Sequence, residues 1–451
     1  MARKAPARRA TPTPASASAS ASARRPTPAP AALPAPPGRV PPAPDRARLP
    51  APAPARSGRV PAGRLVGIDL ARGLAVFGMF SVHVGPDPAV GGPVGFLLET
   101  ASGRSSALFA LLAGFSLVII TGRPRPRTGR AGRQAVVTVV IRAVVLLVLG
   151  YALSALGTEV NVILSYYGVL FLAVLPLYRL RAGPLALAAA AAALVLPQAL
   201  YGIRTAIADG GWADAVTAHD PLALLTGTDG TLDLLFTGDY PVLTWLPFLL
   251  AGMAVARLDL GRPHIASRLA LTGGALALLG YGGSWLALRL VPHARSAVAA
   301  AAHRPASSPW WWSDTAGEPA GRPPPGWLLV AVPHSETTFS IAGGTGVAVA
   351  VVAGCLTVAA RAPRLTRAAG PVAAVGMMAL TSYVLHILAL WFFDDVWYVP
   401  GVDGDGMSAL TVLAAFIAAT MLLATVWTRL FRRGPMEQLL HLLTRPARSV
   451  G

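Results

Sequence analysis

Residues 64 to 84 read RLVGIDLARGLAVFGMFSVHV, and this stretch decides what kind of protein the chain encodes. It has about the length a helix needs to cross the hydrocarbon of a bilayer. Along that length it carries Asp69, Arg72 and His83, groups that lipid tolerates where they are paired or used. Asp69 and Arg72 are three residues apart, hence neighbours on one helical face and able to pair. His83 follows Arg72 by eleven residues, and eleven steps of about 100° return nearly to the same face. At about 1.5 Å of rise per residue the two groups lie about 16 Å apart along one side of the helix. One stripe therefore carries a cation near one end and a titratable base near the other. The expectation is that both look into a shared, water-accessible passage.

Working outward, the composition agrees with a lipid environment. Of 451 residues 54% are hydrophobic and 13% charged, with mean hydropathy +0.56, whereas soluble domains carry about 25% charged residues. Apolar stretches of near-spanning length recur at 66–84, 95–121, 135–156, 162–178, 185–203, 242–256, 269–291, 339–360, 372–393 and 408–430. The fold predicted is all-α, a polytopic membrane helix bundle of about ten spans. Short cytoplasmic loops collect Lys and Arg, and with the amino terminus inside 30 of the 38 basic residues fall on that side. Both termini are then cytoplasmic, and acidic residues such as Asp209, Asp214, Asp394 and Asp395 fall outside.

The flanks are of a different kind. Residues 1–63 are rich in Ala, Pro, Arg and Ser, too poor in large apolar side chains to offset ordering entropy, and read as a disordered cytoplasmic tail. No apolar export-signal core occurs there. Residues 64–435 form the membrane domain, and 436–451 a cytoplasmic carboxy-terminal tail. The net charge of +18 is spread between apolar runs rather than gathered in one patch, which does not read as nucleic-acid binding. A single cysteine, Cys355, excludes an intrachain disulfide framework, and His and carboxylate spacings match no zinc site, so no metal is expected.

Further candidates for chemistry lie in three places. The second span, GFLLETASGRSSALFALLAGFSLVII at 95–120, adds Glu99, Arg104 and the hydroxyls of Ser102, Ser105 and Ser106. Gly103, Ala107 and Gly114 are small enough to bring that helix close to the first, so four charges on adjacent helices suggest a lined cavity. VPHSETTFS at 332–340 sets His334, Ser335, Glu336, Thr337 and Thr338 at the mouth of the eighth span, as binding groups or as helix caps. MALTSYVLHILALW at 378–391 carries His386, read as hydrogen-bonded packing. Trp310, Trp311 and Trp312 in a long outer loop suit a headgroup-level belt or a sugar platform.

Five segments carry a resemblance: GIDLARGLAVFGMFSVH, GRSSALFALLAGFSL, HSETTF, MALTSYVLH and FRRGPMEQLLHLL. Together they resemble the YeiB-like bacterial multi-pass family, a domain of unknown function. That family is grouped with heparan-alpha-glucosaminide N-acetyltransferase and, more distantly, with membrane O-acyltransferases. The resemblance covers nearly everything after Arg64, and GIDLARG and RGPMEQLL are its most specific pieces. It implies a protein of the bacterial inner membrane that moves an acyl group, expected to be acetyl, from cytoplasmic acetyl-CoA to an extracytoplasmic amino sugar or other glycan. In the O-acyltransferases an Arg, ten residues and a His open the first helix, and Arg72 to His83 is similar. The lysosomal N-acetyltransferase has an Asn at that place and its essential His beyond it, whereas residues 84–99 here contain no His. Either His83 takes the catalytic role or this branch has lost or changed the activity.

On this reading His83 is the general base and Glu99 orients it. Arg64, Asp69, Arg72 and Arg104 serve the acetyl-CoA phosphates, with guanidinium matched to phosphate. His334, Ser335 and Thr337 bind the acceptor, and the lipid bilayer is the standing partner. The alternative is a membrane transporter or lipid-handling protein in which Asp69, Arg72, Glu99 and Arg104 line a route; a catalytically silent scaffold is a third reading.

Overall fold

The chain is described by a computed structural model covering residues 65–226, 228–303, 310–313, 322–396 and 406–450. The expected disordered tail and Arg64 lie outside the described residues. Every regular element among the described residues is helical. In chain order the first are α1 (Val66–His83), α2 (Gly92–Ala101), α3 (Arg104–Thr121), α4 (Gly129–Ser154), α5 (Leu164–Val174) and α6 (Ala182–Asp209). Next come α7 (Trp212–His219), α8 (Pro221–Thr226), α9 (Val242–Ala256), α10 (Pro263–Ala277), α11 (Gly283–Leu290) and α12 (Ala294–Ala301). The last are α13 (Thr338–Arg361), α14 (Pro363–Ala368), α15 (Gly370–Met377), α16 (Ala379–Val396), α17 (Gly406–Leu430) and α18 (Pro435–Leu443).

Among the described residues seven helical segments are long and apolar enough to cross a membrane. The expected second span is α2 and α3 together, interrupted at Gly103, whose φ of 63° suits a residue without Cβ. The expected ninth span is the pair α15 and α16, bent by 84°. The expected fourth and sixth appear as shorter apolar helices at Leu164–Arg179 and Val242–Ala256.

Burial sorts the long helices into two groups. The apolar windows of α1, α2–α3 and α13 are 56%, 67% and 56% buried, while those of α6 and α17 are 11% and 17% buried. Leu187 and Leu194 of α6 and Leu422 of α17 are exposed, as helices facing lipid should be. The inner group packs with α9 and α15 around Phe80, Phe115, Leu111 and Leu249.

Small residues set the close approaches, though not where expected. Gly114 lies against the Leu249 backbone of α9, and Gly252 of α9 lies reciprocally against Leu111. Gly103 meets Pro333, and Ala107 meets Gly344 of α13. The contact between α1 and α3 is made instead by Gly78 of α1, where an added Cβ would sit 2.6 Å from Ser105 Cβ. Sequence spacing finds small residues on a face but does not say which neighbour that face meets.

The break before α16 would leave helix N–H groups without acceptors. Glu437 of α18 supplies them: its carboxylate accepts from Leu380 N at 2.9 Å, Thr381 N at 3.2 Å and Thr381 Oγ1. Met436 N donates back to Thr381 Oγ1 at 3.0 Å. The tail expected beyond 435 is therefore an ordered amphipathic helix gripping α16, and after it Arg448 O and Val450 O accept from Gln134 Nε2 of α4.

Candidate functional site

At its first turns α1 places Asp69 and Arg72 as spacing predicts. Arg72 Nη1 lies 3.4 Å from Asp69 Oδ1, and Nη2 donates to Ser116 Oγ of α3 at 2.7 Å. Asp69 is buried and the Arg72 side chain is 21% exposed. A guanidinium so held is oriented and still accessible, which suits an anion.

At the far end of α1 the structure makes a pairing that no spacing could reveal. His83 Nδ1 is 3.2 Å from His386 Nε2, and the two rings stack at 5.0 Å with 15° between their planes. Phe80 and Phe416 wall His386 at 5.0 and 6.0 Å, and Tyr383 stands 6.2 Å away. His386 is 1% exposed, and its Nδ1 is buried without a partner. In such a contact one ring must donate and the other accept, so the tautomers of His83 and His386 are coupled. His386, expected as packing, thus becomes the nearest polar partner of the proposed base. Between Arg72 and His83, Ala75, Val76, Met79 and Phe80 are buried in the core, so α1 presents two separate polar ends and not one open stripe.

Arg104 does not join Arg72. It sits at the start of α3, twelve residues and about 18 Å of helical rise from Ser116. Its Nε donates to Tyr281 Oη at 3.0 Å, Nη1 to Glu99 O and Ser102 O, and Nη2 to Trp312 O at 2.6 Å. Tyr281 and Trp312 also flank the guanidinium at 5.3 and 5.4 Å. Glu99 is buried in the last turn of α2. The four charges expected in one cavity are divided between opposite ends of α3.

Arg104 instead lines a cavity of about 20 Å³ with Trp245, Tyr281, His334 and Glu336, room for about one water. An aromatic recess of about 380 Å³ beside it shares Arg104 and Tyr281 and adds Phe96, Trp311 and Trp312. Glu336 is 6% exposed and accepts from Trp245 Nε1 at 3.0 Å. Burial pushes its carboxyl above the usual carboxylate range, against the opposing pull of Thr244, Arg204 and His334. His334 stacks on Trp245 at 5.8 Å and its Nδ1 meets Asp239 O at 3.1 Å. His334 and Glu336 both have positive φ, 58° and 60°, a conformation that costs free energy and concentrates at sites of function.

Ser335 and Thr337 are turned to backbone work. Ser335 Oγ donates to Val332 O, and Thr337 Oγ1 donates to Val330 O while accepting from Ser340 N as the cap of α13. Of the three proposed acceptor residues, His334 alone lines the cavity. Glu336 was marked only as part of the polar run HSETT at the mouth of the eighth span, and Trp245 and Tyr281 were not singled out. Trp312 packs on Arg104 and Phe96, and the Trp310 side chain lies outside the described residues.

Residues 64–282 match the family described as heparan-alpha-glucosaminide N-acetyltransferase, catalytic. Residues 325–447 match a protein family of unknown function, DUF418. No curated protein matches the chain. The first match holds α1, Arg72, His83 and Arg104, and the second holds the HSETTF run, His386 and Glu437, so each of the two polar assemblies draws on both. Over these two stretches the chain is similar to the heparan-alpha-glucosaminide N-acetyltransferase catalytic family and to the YeiB-like family of unknown function.

Proposed function

We propose that this protein is a membrane acyltransferase that moves an acetyl group from acetyl-CoA on the cytoplasmic side to an amine or hydroxyl on an extracytoplasmic amino sugar or glycan. The observation that carries the reading is the contact of 3.2 Å between His83 and His386, within a chain whose first half matches an N-acetyltransferase catalytic family. His83 Nδ1 is engaged by His386, which leaves Nε2 for the acceptor. That nitrogen takes the proton of the attacking N–H or O–H. The new N–C or O–C bond forms, the thioester C–S bond breaks, and the departing thiolate ends as the free thiol with that proton. His386 acts through His83, holding its tautomer as a positioning residue.

Arg72 fits the donor's phosphates, being oriented by Asp69 and Ser116 and part exposed. The aromatic recess and the Arg104, His334 and Glu336 cavity suit the acceptor, with indole and phenol faces for a sugar ring. Ten spans with both termini cytoplasmic, in a bacterial inner membrane, fit the basic-residue distribution. The separation of Asp69 and Arg72 from Arg104 weakens the transporter alternative, which needs all four charges along one route.

The test is acetyl transfer in proteoliposomes with labelled acetyl-CoA and amino sugars on opposite sides. Label on the sugar only when donor and acceptor are on their proposed sides is the expected result. Absence of transfer to every amine and hydroxyl acceptor, with sugar uptake instead, overturns the proposal in favour of transport.

A further inference from the structure

The turn between α17 and α18 builds a cavity of about 630 Å³ whose walls are Trp427, Phe431, Arg432, Arg433, Leu442 and Arg445, among others. No ion pair holds Arg432, Arg433 or Arg445 among the described residues. Glu437, the carboxylate nearest in sequence, spends its oxygens on the α16 N–H groups. His441, also on the wall, is held below its usual titration range by burial and then by Arg433, Arg448, Arg445 and Arg142, so positive potential converges here. The turn itself is pinned, since Trp427 Nε1 donates to Arg433 O at 2.9 Å.

The position of the cavity selects among anions. α17 is a candidate membrane span ending at Leu430, and Trp427 lies in its last turn, the level where an indole meets lipid headgroups. Leu430, Phe431, Leu439 and Leu442 are exposed beside the arginines, giving an apolar surface continuous with the basic one. A phosphate carrying long apolar chains satisfies both halves.

The geometry points to a binding site for an anionic phospholipid, its phosphate on Arg432, Arg433 and Arg445 and its chains along Trp427 and Phe431. The site has a route to the histidine pair. The same α18 that forms its wall caps α16 through Glu437, and α16 carries His386. A lipid that steadies α18 would therefore steady the helix that positions His83.

The delipidated full chain in detergent tests this, with the melting midpoint read by labelling of the buried Cys355 during titration with phosphatidylglycerol. An arginine near a charged lipid surface contributes about fivefold in affinity. The R432Q/R433Q/R445Q variant should therefore need about a hundredfold more lipid for the same rise, and Arg432→Gln alone, which changes one exposed side chain, about fivefold. Phosphatidylcholine, inorganic phosphate and acetyl-CoA should each leave the midpoint unmoved. Equal titrations of wild type and Arg432→Gln would overturn the assignment. So would an equal rise with phosphatidylcholine, or a rise with inorganic phosphate or acetyl-CoA, which would make the ligand a soluble phosphate compound.

Discussion

Replacing Glu437 probes the link between the most specific carboxy-terminal motif and the histidine pair. The carboxylate accepts three hydrogen bonds, two of them from backbone N–H groups at the start of α16. Hydrogen bonds to a charged acceptor contribute about 1.5 to 3 kcal/mol each, non-additively, and a lost amino-terminal cap costs about 0.5 to 2 kcal/mol. Glu437→Ala removes every acceptor at once and should cost about 3 kcal/mol. Glu437→Gln keeps an oxygen for Leu380 N and Thr381 N and turns its NH2 toward Thr381 Oγ1, so about 1 kcal/mol is expected. The chain's single cysteine, Cys355, is buried in α13 and serves as reporter. Where opening is fast relative to labelling, thiol labelling follows the open population. On that scale alanine should speed labelling about 150-fold and glutamine about fivefold, since 1.4 kcal/mol is a factor of ten. Labelling of Glu437→Ala at the wild-type rate, or of both variants at one rate, would refute the capping argument.

Three other outcomes follow from particular contacts. Gly376 of α15 lies against the Asp69 backbone of α1, so Gly376→Ala should lose about 1 to 3 kcal/mol by overpacking, whereas Gly354→Ala, which meets open space, should be neutral or slightly stabilising in the same labelling assay. Arg104→Lys cannot keep the planar fork that reaches Tyr281, Glu99, Ser102 and Trp312, and a loss of about 2 kcal/mol with altered tryptophan emission is expected. Burial raises the Glu336 carboxyl, so the folded chain holds that proton more tightly than the unfolded one. Stability from this group is then complete below the ordinary glutamate range and falls as pH rises through and above it. Glu336→Gln should accordingly melt higher than wild type at pH 8, with the difference vanishing near pH 4, and an unchanged or inverted difference would contradict the burial argument.

The first span was legible because both of its signals are local. Length and apolarity mark a crossing helix, and the spacing of Asp69 and Arg72 forces a pair. The histidine pair was not, since His83 and His386 are 303 residues apart and their meeting depends on how α1 and α16 pack. Gly103, Ala107 and Gly114 marked close contacts correctly, but a single helix face does not name its neighbour, and theirs proved to be other elements than α1. Four buried charges suggested one cavity, yet the length of α3 holds Arg104 and Arg72 apart. Thr337 and Ser335 show the ordinary fate of hydroxyls at a helix start, since capping and turn bonds consume them. Glu437 stood inside RGPMEQLL, one of the two most specific pieces of the resemblance, but its part in a broken helix is visible only once the break at Met378 is seen.

Single-turnover acetyl transfer by His83→Ala at saturating donor measures most directly the proposed role of His83, which takes the acceptor's proton while its Nδ1 meets His386. A general base accounts for about 10²- to 10⁴-fold in rate, so a loss in that range is predicted, with wild-type Cys355 labelling to certify the fold and a smaller loss in His386→Gln, whose side-chain carbonyl can still accept from Nδ1–H. Transfer by His83→Ala at the wild-type rate would contradict the account.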